Sequence, residues 1–220
     1  MANNQTRIDQ FLLSSQVMIE NSLSDNGIKT ALADFGYTEE KLNAGKQLYD
    51  EAAALQNAQK KEYGDQVAAT AELNEIWETA HQQYIRTLKI ARVAFNDNIK
   101  ADKATMLFGR RKQSLSGWLE QAQAFYKNLL NDTAFLTTLS AFGYTEEKLQ
   151  NESTLINQVI AKHLAQKKEV GEAQEATETR DKALDKLAHW ISDLRAVAKV
   201  TLEDNPQQLE KLGILARSNT

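Results

Sequence analysis

Phe35-Gly36-Tyr37-Thr38-Glu39-Glu40-Lys41-Leu42 returns letter for letter as Phe142-Gly143-Tyr144-Thr145-Glu146-Glu147-Lys148-Leu149, 107 residues further on. The octet reads as a corner between two helices. A glycine at Gly36 or Gly143 can take the left-handed conformation that ends a helix. Tyr37 then folds back over Leu32, and Tyr144 over Leu139. Thr38 and Thr145 can cap the next helix through their hydroxyls, and the two glutamates place negative charge at its exposed amide groups. A docking surface is the functional reading of the same letters, and stop-and-start chemistry accounts for all of them but Lys41.

Outward from the octet the match persists as a pattern. Ile8, Phe11, Leu12, Ser15, Met18, Ile19 and Leu23 recur at three- and four-residue spacing, and the 107-residue shift maps them onto Leu115, Trp118, Leu119, Ala122, Phe125, Tyr126 and Leu130. Asp25-Asn26-Gly27 and Asn131-Asp132-Thr133 break these helices. Each break leads into a short connector, with Ile28, Leu32 and Phe35 apolar in one and Phe135, Leu139 and Phe142 in the other.

Beyond each corner a long helical segment follows, over 38–97 and 145–204. Lys60-Lys61-Glu62-Tyr63-Gly64 and Lys167-Lys168-Glu169-Val170-Gly171 place lysines, then a glycine, where a helix would close, and Asp65 or Glu172 where another would open. This predicts a helical hairpin with a thinly packed tip at Gly64 and Gly171. The rival is one uninterrupted helix of roughly 90 Å, since a lone glycine inside a helix costs only about 1 kcal/mol. Asp97-Asn98 and Asp204-Asn205 end the long segments, and Pro206 suits the first turn of a closing helix.

The predicted fold is therefore all-α, a tandem duplication of a three-helix unit (amphipathic helix, short connector, long helical hairpin) packed as a pseudo-twofold bundle. Residues 1–110 form the first repeat and 111–220 the second, with Gly109 to Ser114 as linker. Phe11 and Trp118 are the expected contact between copies, and 216–220 are expected to fray. One proline among 220 residues and abundant helix formers agree with this class, and an apolar fraction of 42% can fill a sizeable core.

Composition also excludes chemistry. A net charge of −4 gives no electrostatic reason to expect a nucleic-acid partner. The N-terminus lacks a secretory signal pattern and no run reaches membrane-spanning length, so a cytoplasmic, membrane-free protein is expected. Zero cysteines exclude disulfides and thiolate chemistry. The scattered glycines form no phosphate-binding loop.

Three residue groups are candidates for a site. Glu75, Glu78 and His81 include the i, i+3 carboxylate–imidazole spacing of metal-binding bundles, but the shift turns Glu78 into Asp185 and His81 into Ala188. His189 has Lys186 three positions before it, His163 follows Lys162, and neither suggests a ligand set. Arg110, Arg111 and Lys112 could hold an anion near a helix start, although linker cations are more often solvated. Trp77, Tyr84, Trp118, Phe125, Tyr126 and Trp190 could line a pocket for an apolar ligand, or simply be core.

No catalytic set and no cofactor follow from these residues. The leading functional expectation is a non-enzymatic protein-interaction or scaffold module that engages a protein partner or itself. A binding protein for a small apolar or aromatic ligand is the alternative, and a metal-dependent bundle enzyme the second alternative.

Overall fold

The computed structural model describes residues 2–215, with side chains from residue 6 onward. The tail at 216–220 lies outside the described residues. The described residues are 84% helix and include no strand. In order, the helices are α1 Ala2–Ser24, α2 Asn26–Ala33, α3 Glu39–Ala94, α4 Ile99–Thr105, α5 Leu115–Leu130, α6 Thr133–Ser140, α7 Glu146–Thr201 and α8 Pro206–Lys211. The bounds of α2 and α6, and of α3 and α7, differ by 107 at both ends.

The corners form by ordinary capping. The Tyr37 amide donates to the Leu32 carbonyl at 3.0 Å and the Gly36 amide to that of Ala33 at 3.0 Å, with Gly36 at φ 81°. Tyr144 and Gly143 repeat both bonds onto Leu139 and Ser140, with Gly143 at φ 75°. This double bond closes a helix through a left-handed glycine. The Lys41 amide donates to Thr38 Oγ1, and the Lys148 amide to Thr145 Oγ1. Upstream, Asp25 caps α2 through Gly27 and Ile28, and Asp132 caps α6 through Ala134 and Phe135.

The hairpin expected at Gly64 and Gly171 does not form. Helices α3 and α7 each run unbroken for 56 residues through these glycines. Neither glycine takes a positive φ, and a Cβ at either would meet nothing within 4 Å. A glycine on an open helix face costs about 1 kcal/mol, less than breaking and recapping the backbone. Asp65 and Glu172 consequently lie inside helices. The packing around these sites is thin: no residue from Asn57 to Glu72, or from Ile160 to Glu172, is buried.

Two compact units result. Unit 1 comprises Met1–Tyr63 and Glu172–Thr220, and unit 2 is Gly64–Gly171. These bounds differ from the division at residue 110, because each long helix supplies its first part to one unit and its second part to the other. The core of unit 1 joins Met18, Ile19 and Leu32 to Leu187, Leu194 and Leu202. The core of unit 2 joins Tyr84, Leu88 and Phe95 to Phe125, Tyr126 and Leu149. Phe11 packs on the first core and Trp118 lies in the second.

Polar pairs follow the same rule. In unit 1, Gln59 donates to Thr177 Oγ1, and the capping Asp25 meets Lys211 at 2.7 Å. In unit 2, Gln166 donates to Thr70 Oγ1, and the capping Asp132 meets Lys100 at 2.6 Å. Lysine hydrogen bonds, together with the backbone amides that the caps accept, hold both aspartates below the usual carboxylate range.

Candidate functional site

The first turns of α7 carry Leu149, Glu152, Ile156 and Val159 at spacings of three, four and three, so one face buries all four side chains. Glu152 is the anomaly among them, 5% exposed. A buried carboxylate needs donors, and two elements bring them. Thr87 on α3 donates to Glu152 Oε2 at 2.6 Å, and Tyr126 on α5 donates to the same oxygen at 3.0 Å. Oε1 accepts no hydrogen bond among the described residues and is not sealed from solvent.

Burial pushes the Glu152 carboxyl above the usual glutamate range, against the two hydroxyl bonds and the charge of Lys148. The Tyr126 hydroxyl is pushed up in turn, first by burial and then by the neighbouring Glu152 charge.

Above Glu152 lies an open cleft of about 410 Å³. Gln83, Asn151 and Leu155 line it together with Thr145, Glu147 and Lys148 of the corner. The Lys148 ammonium sits 3.6 Å from the centre of the Tyr144 ring, as Lys41 does 3.7 Å from that of Tyr37. That cation–π contact supplies a role for the lysine of the octet.

Unit 1 fills the equivalent place. The 107-residue shift takes Glu152 to Gly45, Thr87 to Leu194, Tyr126 to Ile19 and Gln83 to Trp190. The Trp190 ring lies directly on Gly45, so close that a Cβ there would come within 2.2 Å of it, and its edge meets Tyr37 at 5.9 Å between centroids. Unit 1 is plugged and apolar where unit 2 is open and acidic.

Glu75, Glu78 and His81 do not converge. Their ligand atoms do not all lie within 4.8 Å of one another. Glu78 accepts from Gln82 at 2.9 Å, and the His81 ring packs between Trp77 and Trp118, with centroids at 5.9 and 6.0 Å. Glu75 lines a separate cleft of about 470 Å³ with Ile76, Gln158 and Ala161, beside the Lys162–Glu72 ion pair. Of the other histidines, His189 Nδ1 lies 2.7 Å from the Asp185 carbonyl, and His163 is half-buried.

The linker cations do not converge either. Arg111 donates to Tyr84 OH at 2.9 Å and to the carbonyls of Met106 and Phe108 at 2.7 and 3.0 Å, which organises the loop. Lys112 pairs with Glu120, and Arg110 is exposed. A guanidinium already committed to a hydroxyl and to carbonyls does not form one anion cradle with its neighbours. Among the aromatic candidates, Trp77, Tyr84, Trp118, Phe125 and Tyr126 pack ring on ring, with Tyr84 and Phe125 5.3 Å apart edge to face. Trp190 belongs to the other unit.

One exposed feature recurs in both corners. Tyr37, Tyr144, Leu42 and Leu149 are buried, whereas Phe35 is 56% and Phe142 45% exposed. Their predicted place on the connector's apolar face fails because α2 ends at Ala33 and α6 at Ser140, which leaves both phenylalanines in the turn. No family model, no curated protein and no solved structure matches the chain. No described helix is long and apolar enough to cross a membrane.

Proposed function

We propose that this is a non-enzymatic helical protein-interaction module that presents the same corner twice. The observation that carries this reading is the exposure of Phe35 and Phe142. Gly36, Tyr37, Thr38, Lys41 and Leu42 each have an internal role in turning or capping the chain, and so do their counterparts. The phenylalanine has none, yet stands at the head of the octet in both places. Exposed aromatic side chains on a rigid support are common anchors of protein interfaces.

The same reading makes the chain two copies of a unit of about 107 residues that exchange halves, each copy completing the core of the other. The exchanged cores and the paired Gln59–Thr177 and Gln166–Thr70 contacts support it.

The test is the full chain with Phe35→Ala, Phe142→Ala and both. Surface substitutions of this kind change stability by about 0.5 kcal/mol or less. Native mass spectrometry of the wild type should show a defined oligomer or a stoichiometric protein partner, weakened in each single variant and lost in the double. A complex that survives in the double variant, or a wild type found bare and monomeric, would refute the reading.

Binding of a small ligand is the second reading. The cleft above Glu152 favours it, and that cleft has carboxylates in its lining, unlike the apolar pocket expected from the aromatic residues.

A further inference from the structure

We infer that the cleft above Glu152 in unit 2 is a binding site for a small alkylammonium group, whose nitrogen meets Glu152 Oε1 while its carbon stem lies along Leu155. This stands apart from the corner reading, and either can fail alone.

The chemistry of the walls selects the ligand. Glu152 lines the cleft and offers one oxygen already held by two hydroxyls and one that accepts no hydrogen bond among the described residues. Glu147 adds a second carboxylate, and Gln83 and Asn151 add amide oxygens. An anion would meet both carboxylates. A neutral ligand would leave the buried carboxyl of Glu152 with the Lys148 charge near it but no cation in contact, and a buried charge is costly until paired. Lys148, the cation in the lining, rests on the Tyr144 ring. Among the described residues no three carboxylate or histidine ligand atoms come together at this cleft, so an organic cation fits better than a metal ion. The volume, about 410 Å³, falls in the range of small-molecule sites.

The internal comparison points the same way. In unit 1 the equivalent floor residue is Gly45 and an indole covers it, with no buried carboxyl to serve. Unit 2 replaces the indole by Gln83 and the glycine by Glu152, and provides two hydroxyl donors where unit 1 has Leu194 and Ile19. A carboxyl supported by Thr87 and Tyr126 from two other helices is a built feature, and its Oε1 remains available as an acceptor.

The experiment is NMR of the full chain labelled at the glutamate carboxyl carbons, titrated with n-butylammonium chloride and, at equal ionic strength, with sodium chloride. The Glu152 signal should shift saturably with the amine and not with sodium, and its titration midpoint should fall as the amine is added. Glu152→Gln keeps an acceptor for Thr87 and Tyr126 but loses the charge, and amine affinity, followed by the cleft amide signals, should drop about tenfold or more. Asn151→Lys, at an exposed position, places a tethered ammonium in the cleft and should abolish binding in a chain whose fold is undisturbed. Nα-acetyl-lysine amide separates two sources: binding tighter than that of n-butylammonium assigns the site to a lysine side chain, and equal or weaker binding to a free amine. Equal responses to sodium and amine, equal binding of n-butanol, or unchanged affinity in both variants would overturn the assignment.

Discussion

Gly45 and Glu152 occupy the same place in the 107-residue period, and the two units answer the same geometric problem in opposite ways. Unit 1 removes the side chain at the floor and lays the Trp190 indole on the gap. Unit 2 keeps a long side chain, charges it, surrounds one oxygen with Thr87 and Tyr126, and leaves the space above open. An apolar plug needs only close packing. A buried carboxyl needs every neighbour to be of the right type, so four positions change together: 45/152, 194/87, 19/126 and 190/83.

The largest effect should come from forcing the acidic solution into the plugged unit. Gly45→Glu sets a Cβ against the Trp190 ring and buries a carboxylate among Leu194 and Ile19, at a cost of about 4 kcal/mol. Chemical denaturation reads this directly. Adding Trp190→Gln should recover part of the loss, and strict additivity of the two substitutions would show that Trp190 and Gly45 are not coupled.

In unit 2, Thr87→Val removes a donor to the carboxylate and should cost about 2 kcal/mol at neutral pH. The same substitution without effect would mean that Glu152 is not held as described.

A smaller contrast lies in the closing helices. Gly213 takes φ 71° at the end of α8, while its counterpart after α4, Met106, takes φ 52°. A non-glycine residue is strained there, so Met106→Gly should stabilise by about 1 kcal/mol.

Glu152→Gln sharpens the comparison by its pH dependence more than by its size. The folded-state carboxyl titrates above its unfolded value, so its contribution to stability is complete at acid pH and is lost as pH rises through the folded value. The amide variant should therefore gain on the wild type from the ordinary glutamate range up to the raised one, and keep that gain at higher pH. Thermal melts across that window check the sign. A gap that widens toward acid would contradict it.

The octet shows how much the letters alone reveal. Gly36 and Gly143 had to be helix stops, Thr38 and Thr145 caps, and both corners have that geometry. Lys41 looked unassigned and lies on Tyr37, whereas Phe35 and Phe142 looked like core and stand in the turn. Lys60-Lys61 before Gly64 misled because those residue types suit a helix end but also tolerate a helix interior; only packing decides between them. Glu152 was visible as the one charged residue on the stripe Leu149, Ile156 and Val159. Its meaning was not, because Thr87 and Tyr126 reach it from 65 and 26 residues away in sequence.

The exchange of halves is the claim on which the comparison depends, and the absence of cysteine makes it directly measurable. The full chain carrying Gln59→Cys, Thr70→Cys, Gln166→Cys and Thr177→Cys is oxidised and its disulfides mapped after tryptic cleavage, which cuts between 59 and 70 at Lys60 and Lys61 and between 166 and 177 at Lys167 and Lys168. Exchanged halves predict bridges 59–177 and 70–166, following the observed glutamine–threonine pairs. Bridges 59–70 and 166–177 would instead show two hairpins turning at Gly64 and Gly171, and would contradict the account.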